Sequence, residues 1–126
     1  MPNSNAFLVC LLDDDPSVLK ALGRLLSSAD LHAETFSDCN EFLRYARTHR
    51  PAVALVDVCM PQMSGLEVQS QLQKLSPSTR VIIFTANPDP RVRTTALNAG
   101  ASAFFIKPFD DEELLTAIRL ALAPTD

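Results

Sequence analysis

Short apolar runs alternate with longer segments of helical period five times along this chain, and this alternation restricts the fold more than any other feature of the sequence. The runs are apolar at successive positions, as expected for strands that helices cover on both faces. Because only short links separate each run from the next helical segment, the pattern predicts right-handed βαβ units that build one parallel sheet. We therefore predict an α/β fold, a doubly wound (βα)5 parallel sheet with strand order 2-1-3-4-5 and a crevice at the carboxyl ends of the strands.

The boundaries of the predicted elements follow from apolar runs, prolines, glycines and capping residues. Asp15 before Pro16 predicts the start of the first helix, and the spacing from Asp110 to Glu113 is a capping box that predicts the start of the fifth. Gly100 stands where a left-handed C-cap would end the fourth helix. The predicted strands are residues 7–12, 33–36, 52–56, 81–84 and 103–106, and the second and third helices are predicted to begin after Ser37 or Asp38 and after Ser64.

Length, charge and cysteine content exclude several classes of protein. The 126 residues, 47% of them hydrophobic, predict a single domain over residues 1–126, and the net charge of −4 argues against direct binding of nucleic acid. Three cysteines without a C-x-x-C pair argue against a disulfide framework or a closed zinc site, and indicate a cytoplasmic location. Residues 1–5 lack a basic region and no apolar run approaches the roughly 18 residues of a membrane span, so we expect no signal peptide and no membrane anchor.

Polar residues follow four of the five predicted strands at the crevice. Asp13 and Asp14 follow the first strand, Asp57 the third, Thr85 the fourth and Lys107 the fifth. The predicted strand order brings the three aspartates together, where each pair of carboxylates would repel by roughly 3 kcal/mol at about 5 Å and an effective dielectric constant near 20. An acidic run alone is more often a solvated helix N-terminus, but acidic, hydroxyl and basic groups at four matching strand ends indicate a site.

A divalent cation with oxygen ligands would relieve the repulsion between these carboxylates. Magnesium fits a shallow crevice because it takes only one or two carboxylates together with waters and phosphate oxygens. Lys107 supplies a second positive charge, which we expect opposite Asp57 alone among the crevice carboxylates, and Thr85 supplies a hydroxyl donor. This set of groups predicts transfer of a phosphoryl group, with a carboxylate as the nucleophile.

Over residues 7–122, nearly its whole length, the chain resembles the receiver domains of response regulators in two-component signalling. The resemblance implies a flavodoxin-like fold and Mg²⁺-dependent phosphoryl transfer from the phosphohistidine of a histidine kinase to Asp57. It also implies a signalling domain, which is not an enzyme beyond its own phosphorylation and slow autodephosphorylation. The motifs that carry the resemblance are the apolar run into Asp13-Asp14, Leu55-Val56-Asp57-x-x-Met60-Pro61-x-Met63-Ser64-Gly65, Phe84-Thr85-Ala86, and Phe104-x-x-Lys107-Pro108-Phe109.

The resemblance implies a role for each site residue. Asp14, Asp57 and the backbone carbonyl of Cys59 would ligate Mg²⁺, and Asp13 would act mainly through metal-bound water. Asp57 would be the residue that is phosphorylated.

The phosphoryl group would also have partners on the two following strands. Thr85 would hydrogen-bond it and Lys107 would pair with it, with a cis bond between Lys107 and Pro108. Phe104 matches the aromatic switch position, and we expect it to turn inward when Thr85 moves towards the phosphoryl group.

The implied partners are a sensor histidine kinase, a second copy bound through the fourth helix, fifth strand and fifth helix, and a C-terminal output domain of the helix-turn-helix type. The chain is expected to be either a stand-alone receiver or one cut from a longer regulator. The remaining conspicuous residues are interpreted as structural: Met60, Met63 and Phe109 as packing, Pro61 and Gly65 as loop-shaping, and His32 and His49 as surface residues.

Three other functions remain as alternatives. A phosphatase of the haloacid dehalogenase type carries Asp-x-Asp after its first strand, but needs Thr or Val where Ser17 stands and normally a longer chain. A flavodoxin-like electron carrier would have to bind a flavin phosphate beside aspartates that repel it. A pseudo-receiver that acts only as a docking module is the nearest rival, and such domains typically lack one of the site residues.

Overall fold

The computed structural model describes residues 7–123. Residues 1–6, which include the segment used above to argue against a signal peptide, and residues 124–126 lie outside the described residues, so the ends of the predicted domain 1–126 are not covered. Strands and helices alternate throughout in the predicted order. They are β1 (Val9–Leu12), α1 (Pro16–Ser28), β2 (Ala33–Phe36), α2 (Cys39–His49), β3 (Val53–Asp57), α3 (Gly65–Leu75), β4 (Arg80–Thr85), α4 (Pro90–Asn98), β5 (Ala103–Ile106) and α5 (Asp111–Leu122).

The five strands form one parallel sheet in the order β2-β1-β3-β4-β5, which confirms the predicted topology. β2 lies at an edge, as the predicted strand order implied. The winding direction reverses between β1 and β3, so the carboxyl ends of these neighbouring strands border the crevice. The site predicted from the strand ends is therefore located at this edge of the sheet.

Successive residues of each central strand enter different cores, because side chains alternate between the two faces of a sheet. In β1, Cys10 and Leu12 pack into the core under α2, α3 and α4, whereas Val9 and Leu11 pack into the core under α1 and α5. All four side chains are fully buried. Two covered faces explain why the strands are apolar at every position.

Side-chain caps fix where the helices begin. Asp15 accepts a hydrogen bond from the amide of Ser17, and Asp110 accepts one from the amide of Glu113. Gly100 has a φ of 98° just beyond α4, in the left-handed region that was predicted for it. The five N-caps are Asp15, Asp38, Ser64, Asp89 and Asp110.

Several predicted boundaries differ by one or two residues. β1 begins at Val9, two residues later than predicted: Phe7 is 70% exposed, and Leu8 is buried but lies outside the strand. β3 begins at Val53 and includes Asp57, and β4 extends to Arg80 and Thr85 at its two ends. Apolar runs show which residues are buried, whereas a strand's ends depend on the hydrogen bonds of its neighbours. Among residues 7–123, no helix is long and apolar enough to cross a membrane.

Candidate functional site

The parallel register places the site residues at one edge of the sheet. Leu12 pairs with Val56, so Asp13 and Asp57 each stand one position beyond paired residues of neighbouring strands. Asp57 pairs in turn with Phe84, which directly precedes Thr85. The four strands β1, β3, β4 and β5 thus deliver the acidic, hydroxyl and basic groups to one crevice, as the sequence predicted.

Three carboxylates lie close together in this crevice. One ligand oxygen each from Asp13, Asp14 and Asp57 lies within 4.8 Å of the other two. Asp13 and Asp57 are buried, with 1% and 3% of their surfaces exposed, whereas Asp14 is exposed. Neighbouring ligands of an octahedral Mg²⁺ lie about 3 Å apart and opposite ones about 4 Å, given its metal–oxygen distances. The three hard oxygen donors could therefore hold Mg²⁺ after a small approach of the side chains, with an open side towards solvent.

Lys107 provides the positive charge of the crevice from the end of β5. Its Nζ lies 3.0 Å from Oδ2 of Asp13 and 3.9 Å from Oδ1 of Asp57. It also lies 4.9 Å from the centre of the Phe84 ring. The expectation that Lys107 faces Asp57 alone was wrong, because the lysine makes its shortest contact with Asp13. The peptide bond between Lys107 and Pro108 is cis, as predicted.

The Asp57 carboxyl is the group whose ionisation this environment affects most clearly. Burial, followed by the neighbouring charge of Asp13, raises its pKa from 3.8 to about 6, while Lys107 and the amide of Cys59 act in the opposite direction. That amide donates to Oδ1 of Asp57 over 3.3 Å. A carboxylate that is buried and held beside other negative charges is stabilised by any cation that binds next to it.

Thr85 lies at the end of β4 with no exposed surface. Its hydroxyl oxygen accepts a hydrogen bond from the amide of Asn87 over 3.0 Å. The same oxygen lies 3.3 Å from the sulfur of Cys59, and either atom of this pair can donate. Sequence reasoning included Cys59 for its carbonyl and missed this contact of its side chain, because a thiol two residues after a strand carries no pattern of its own.

Phe104 is buried, with 9% of its surface exposed, and belongs to the core under α2, α3 and α4. The guanidinium carbon of Arg93, on α4, lies 5.9 Å from the centre of its ring. The ring is therefore already directed inward without a phosphoryl group, so the expected turn from an outward to an inward position does not start from this conformation.

Gly65 allows α3 to begin close to the phosphoacceptor loop. A Cβ at this position would overlap the backbone carbonyl of Asp57 and lie 2.8 Å from the Cα of Val58. The sequence-based interpretation of Gly65 as a loop-shaping residue is confirmed, and the structure adds the reason. Any larger residue would displace the backbone that carries the Asp57 side chain.

Other residues interpreted as structural behave as predicted. Met60 and Met63 are partly buried against the core beneath α2 and α3, and Phe109 packs edge-on against Phe84. His32 and His49 are exposed on the surface.

Two glutamines on α3 were missed, because polar residues on a helix are normally assigned to the solvent side. The amide nitrogen of Gln69 donates to the carbonyl of Ala96 on α4 over 3.0 Å, although Gln69 is only 1% exposed. Gln73, one turn later, donates to the carbonyl of Ala99. Both glutamines thus bind carbonyl groups at the end of α4, and their spacing of four residues is the one signal that places them on a common face.

Comparison with known proteins gives one consistent result. The profile of the response regulator receiver domain matches residues 9–119. The response regulator protein TodT of Pseudomonas putida is 42% identical over 120 residues, which are 95% of this chain and 53% of TodT. The response regulator protein TmoT of Ectopseudomonas mendocina is 38% identical, with coverage of 95% and 54%. The chain thus spans about half the length of these curated relatives.

A solved structure agrees with this match. The receiver domain of a CheY-like response regulator from Methanospirillum hungatei JF-1 superimposes with a TM-score of 0.86 and 28% identity. The superposition covers 91% of this chain and 92% of that one. The fold and the sequence therefore identify the same family.

Proposed function

The chain belongs to the response regulator receiver domains of two-component signalling, and we propose that Asp57 is the residue on which it accepts a phosphoryl group from a sensor histidine kinase. The observation that carries this assignment is the position of Asp57. It is a buried carboxylate within 4.8 Å of two others and 3.9 Å from the ammonium of Lys107. An oxygen of Asp57 would form a bond to phosphorus while the N–P bond of the phosphohistidine breaks, and the imidazole would leave with the electrons of that bond.

The choice among the three carboxylates rests on their contacts. Asp13 already pairs with Lys107 over 3.0 Å and accepts from the amide of Asp15 through its other oxygen. Asp14 is exposed at the rim of the crevice. Asp57 ends β3, which lies between β1 and β4 in the sheet. It pairs in register with Phe84 of β4. This central position favours it as the phosphoacceptor.

Receiver domains generally use Mg²⁺, and the acidic cluster here fits that ion. Asp13, Asp14 and Asp57 would hold it, together with the backbone carbonyl of Cys59. The bound ion would neutralise negative charge on the carboxylates and on the phosphoryl oxygens. The Lys107 ammonium would add positive charge on the side of β5.

The switch is proposed to run from Thr85 to Phe104. The Thr85 hydroxyl would donate to a phosphoryl oxygen on Asp57, and the position of Phe104 would respond on the neighbouring strand. A ligand shifts such an equilibrium only through contacts that differ between the two states, and the hydroxyl contact supplies that difference. The face of α4, β5 and α5 is the proposed surface for a partner or a second copy.

The whole protein's activity reaches beyond this chain. Because the chain spans about half of TodT and TmoT, we propose that the phosphorylated receiver controls an output domain, with helix-turn-helix output as the first expectation. Its own chemistry would be limited to phosphorylation and slow autodephosphorylation. A cytoplasmic location is proposed with it, since the three free thiols fit a reducing compartment.

The rival function, a pseudo-receiver that only docks, is disfavoured by the presence of all five site residues in one crevice. Acetyl phosphate and Mg²⁺ test the proposal directly, with intact-mass spectrometry as the readout. We expect one phosphoryl group per chain with Mg²⁺ and none with excess chelator. An unmodified mass under both conditions, in protein shown to be folded, would support the docking function instead.

A further inference from the structure

The hydroxyl of Thr85 has a defined set of partners in this structure. Among residues 7–123, its oxygen has hydrogen-bond contacts with the amide of Asn87 at 3.0 Å and the sulfur of Cys59 at 3.3 Å. Thr85 has no exposed surface, whereas Cys59 is exposed. The thiol is therefore the side-chain partner of a hydroxyl that the proposed switch has to redirect.

The hydrogen-bonding capacity of the hydroxyl limits what it can do at one time. It has one hydrogen and two lone pairs, and the Asn87 amide occupies one lone pair. When the thiol accepts, the single hydroxyl hydrogen points at the sulfur. That hydrogen is then not available to a phosphoryl oxygen on Asp57, so in this arrangement the two contacts compete.

The backbone of Cys59 also forms a hydrogen bond with the proposed phosphoacceptor, Asp57. Its amide donates to Oδ1 of Asp57 over 3.3 Å, while its side chain meets Thr85. Cys59 therefore contacts both the Asp57 carboxylate, which would carry the phosphoryl group, and the Thr85 hydroxyl, which would respond to it.

We propose that Cys59 is a positioning residue whose thiol holds the Thr85 hydroxyl in the unphosphorylated protein and is exchanged for a phosphoryl oxygen in the phosphorylated one. The inference rests on the proposed function of Asp57. Sulfur makes weak hydrogen bonds, whereas a hydroxyl that donates to a charged oxygen makes a strong one, so the exchange is favourable. The thiol thus opposes switching weakly, and its replacement changes how easily the switch occurs.

Beryllofluoride, which stands in for the phosphoryl group on an aspartate, measures this competition in the presence of saturating Mg²⁺. Cys59→Ala frees the hydroxyl, and we expect it to bind beryllofluoride about three- to tenfold more tightly than the wild type, the range of one modest hydrogen bond. Cys59→Ser keeps a hydrogen-bonding atom, so it should bind no more tightly than the wild type. Mg²⁺ affinity should stay the same in all three proteins, because only the backbone carbonyl of Cys59 is a proposed ligand.

A double-mutant cycle separates this role from a general effect of the loop. In a Thr85→Val background the hydroxyl is absent, so Cys59→Ala should no longer change beryllofluoride affinity. Equal affinity of Cys59→Ala and the wild type, or an equal gain in the Thr85→Val background, would overturn the inference.

A second readout does not depend on the phosphoacceptor chemistry. Without beryllofluoride, Cys59→Ala should shift the NMR resonances of the Thr85 methyl group and the Asn87 amide. Unchanged resonances would also overturn the role of Cys59. If the wild type binds no beryllofluoride while these resonances do shift, the thiol contact is real and the proposed function of Asp57 is what fails.

Discussion

The ammonium of Lys107 lies 3.0 Å from a carboxylate oxygen of Asp13, closer than the 3.9 Å that separates it from Asp57. Lys107 thus lies within 4 Å of two of the three clustered carboxylates. Asp13 is buried and Lys107 half-buried, so their interaction is screened less than that of a surface pair. The stability of the receiver should therefore depend on how this negative charge is compensated.

Removal of the Lys107 ammonium is expected to destabilise the protein. In Lys107→Met, Asp13 becomes a buried carboxylate without its cation, at a cost of about 1 to 3 kcal/mol in the free energy of unfolding. Mg²⁺ should reduce this loss because it supplies positive charge to the same carboxylates. Chemical denaturation with Mg²⁺ and with chelator measures both effects, and Lys20→Met, on the exposed side of α1, is the matched control. An equal loss of unfolding free energy with Mg²⁺ and with chelator would show that Lys107 and the metal ion do not compensate the same carboxylates.

Asp57 should make the metal-free protein less stable as the pH rises. Its pKa is about 6 in the folded state, against 3.8 for an unperturbed aspartate carboxyl such as that of the unfolded chain. Between these values the folded state binds more protons than the unfolded state, so the free energy of unfolding falls with rising pH. Each pKa unit corresponds to about 1.4 kcal/mol, which gives a loss of a few kcal/mol at most.

Asp57→Asn isolates this contribution, because the amide does not titrate. Denaturation curves from pH 4 to pH 7 in chelator should fall less steeply for this variant than for the wild type. Superimposable pH profiles of the two proteins would show that the folded-state pKa of Asp57 is not raised.

Magnesium should stabilise the fold through the acidic cluster. Binding to the native state alone adds about 2.7 kcal/mol when the free ion is at 100 times its Kd. Asp14→Asn should reduce this increment, yet it should not lower the melting temperature in chelator, because it removes one of three repelling charges. Asp30→Asn is the control: Asp30 is exposed, and its φ of 60° is one that Asn tolerates. A full Mg²⁺ effect in Asp14→Asn would remove Asp14 from the ligand set.

The glutamines of α3 should determine how firmly α4 is held. α4 has nine residues and fully buries only Ala96, so the hydrogen bond from Gln69 to the carbonyl of Ala96 supplements a small apolar contact. Gln69→Met keeps the shape and removes this bond, and we expect amide hydrogens of α4 to exchange up to about tenfold faster. Gln71→Met, which alters an α3 amide that contacts Met63 instead of α4, is the control. Equal exchange in both variants would contradict this role of Gln69.

Sequence patterns were sufficient for most of the fold, for physical reasons that particular elements show. β1 and β3 are buried on both faces, so their apolar runs are unbroken. Asp15 and Asp110 cap helices through hydrogen bonds to residues two or three positions later, so a short sequence motif is enough to predict them. The convergence of the site followed from the strand order, because parallel strands end at the same edge. These features depend on local sequence or on topology alone.

The parts that could not be predicted depend on side-chain geometry between distant residues. Nothing in the sequence indicates that Lys107 would approach Asp13 more closely than Asp57, since both follow strands of the same sheet. The contact of Cys59 with Thr85 and the burial of Gln69 likewise arise from the packing of segments that are far apart in the chain. Hydrophobic periodicity assigns polar residues to solvent, so it misses polar groups that hold one helix to another.

The assignment of Asp57 as the phosphoacceptor is tested most directly by chemical mapping of the modified residue. After reaction with acetyl phosphate and Mg²⁺, borohydride reduces an acyl phosphate to an alcohol and converts the aspartate that carried it into homoserine, which peptide sequencing by mass spectrometry locates. We expect homoserine at position 57, none at positions 13 or 14, and no homoserine in the Asp57→Asn protein treated in the same way. Homoserine at position 13 or 14 of the wild type, with Asp57 unmodified, would contradict the assignment.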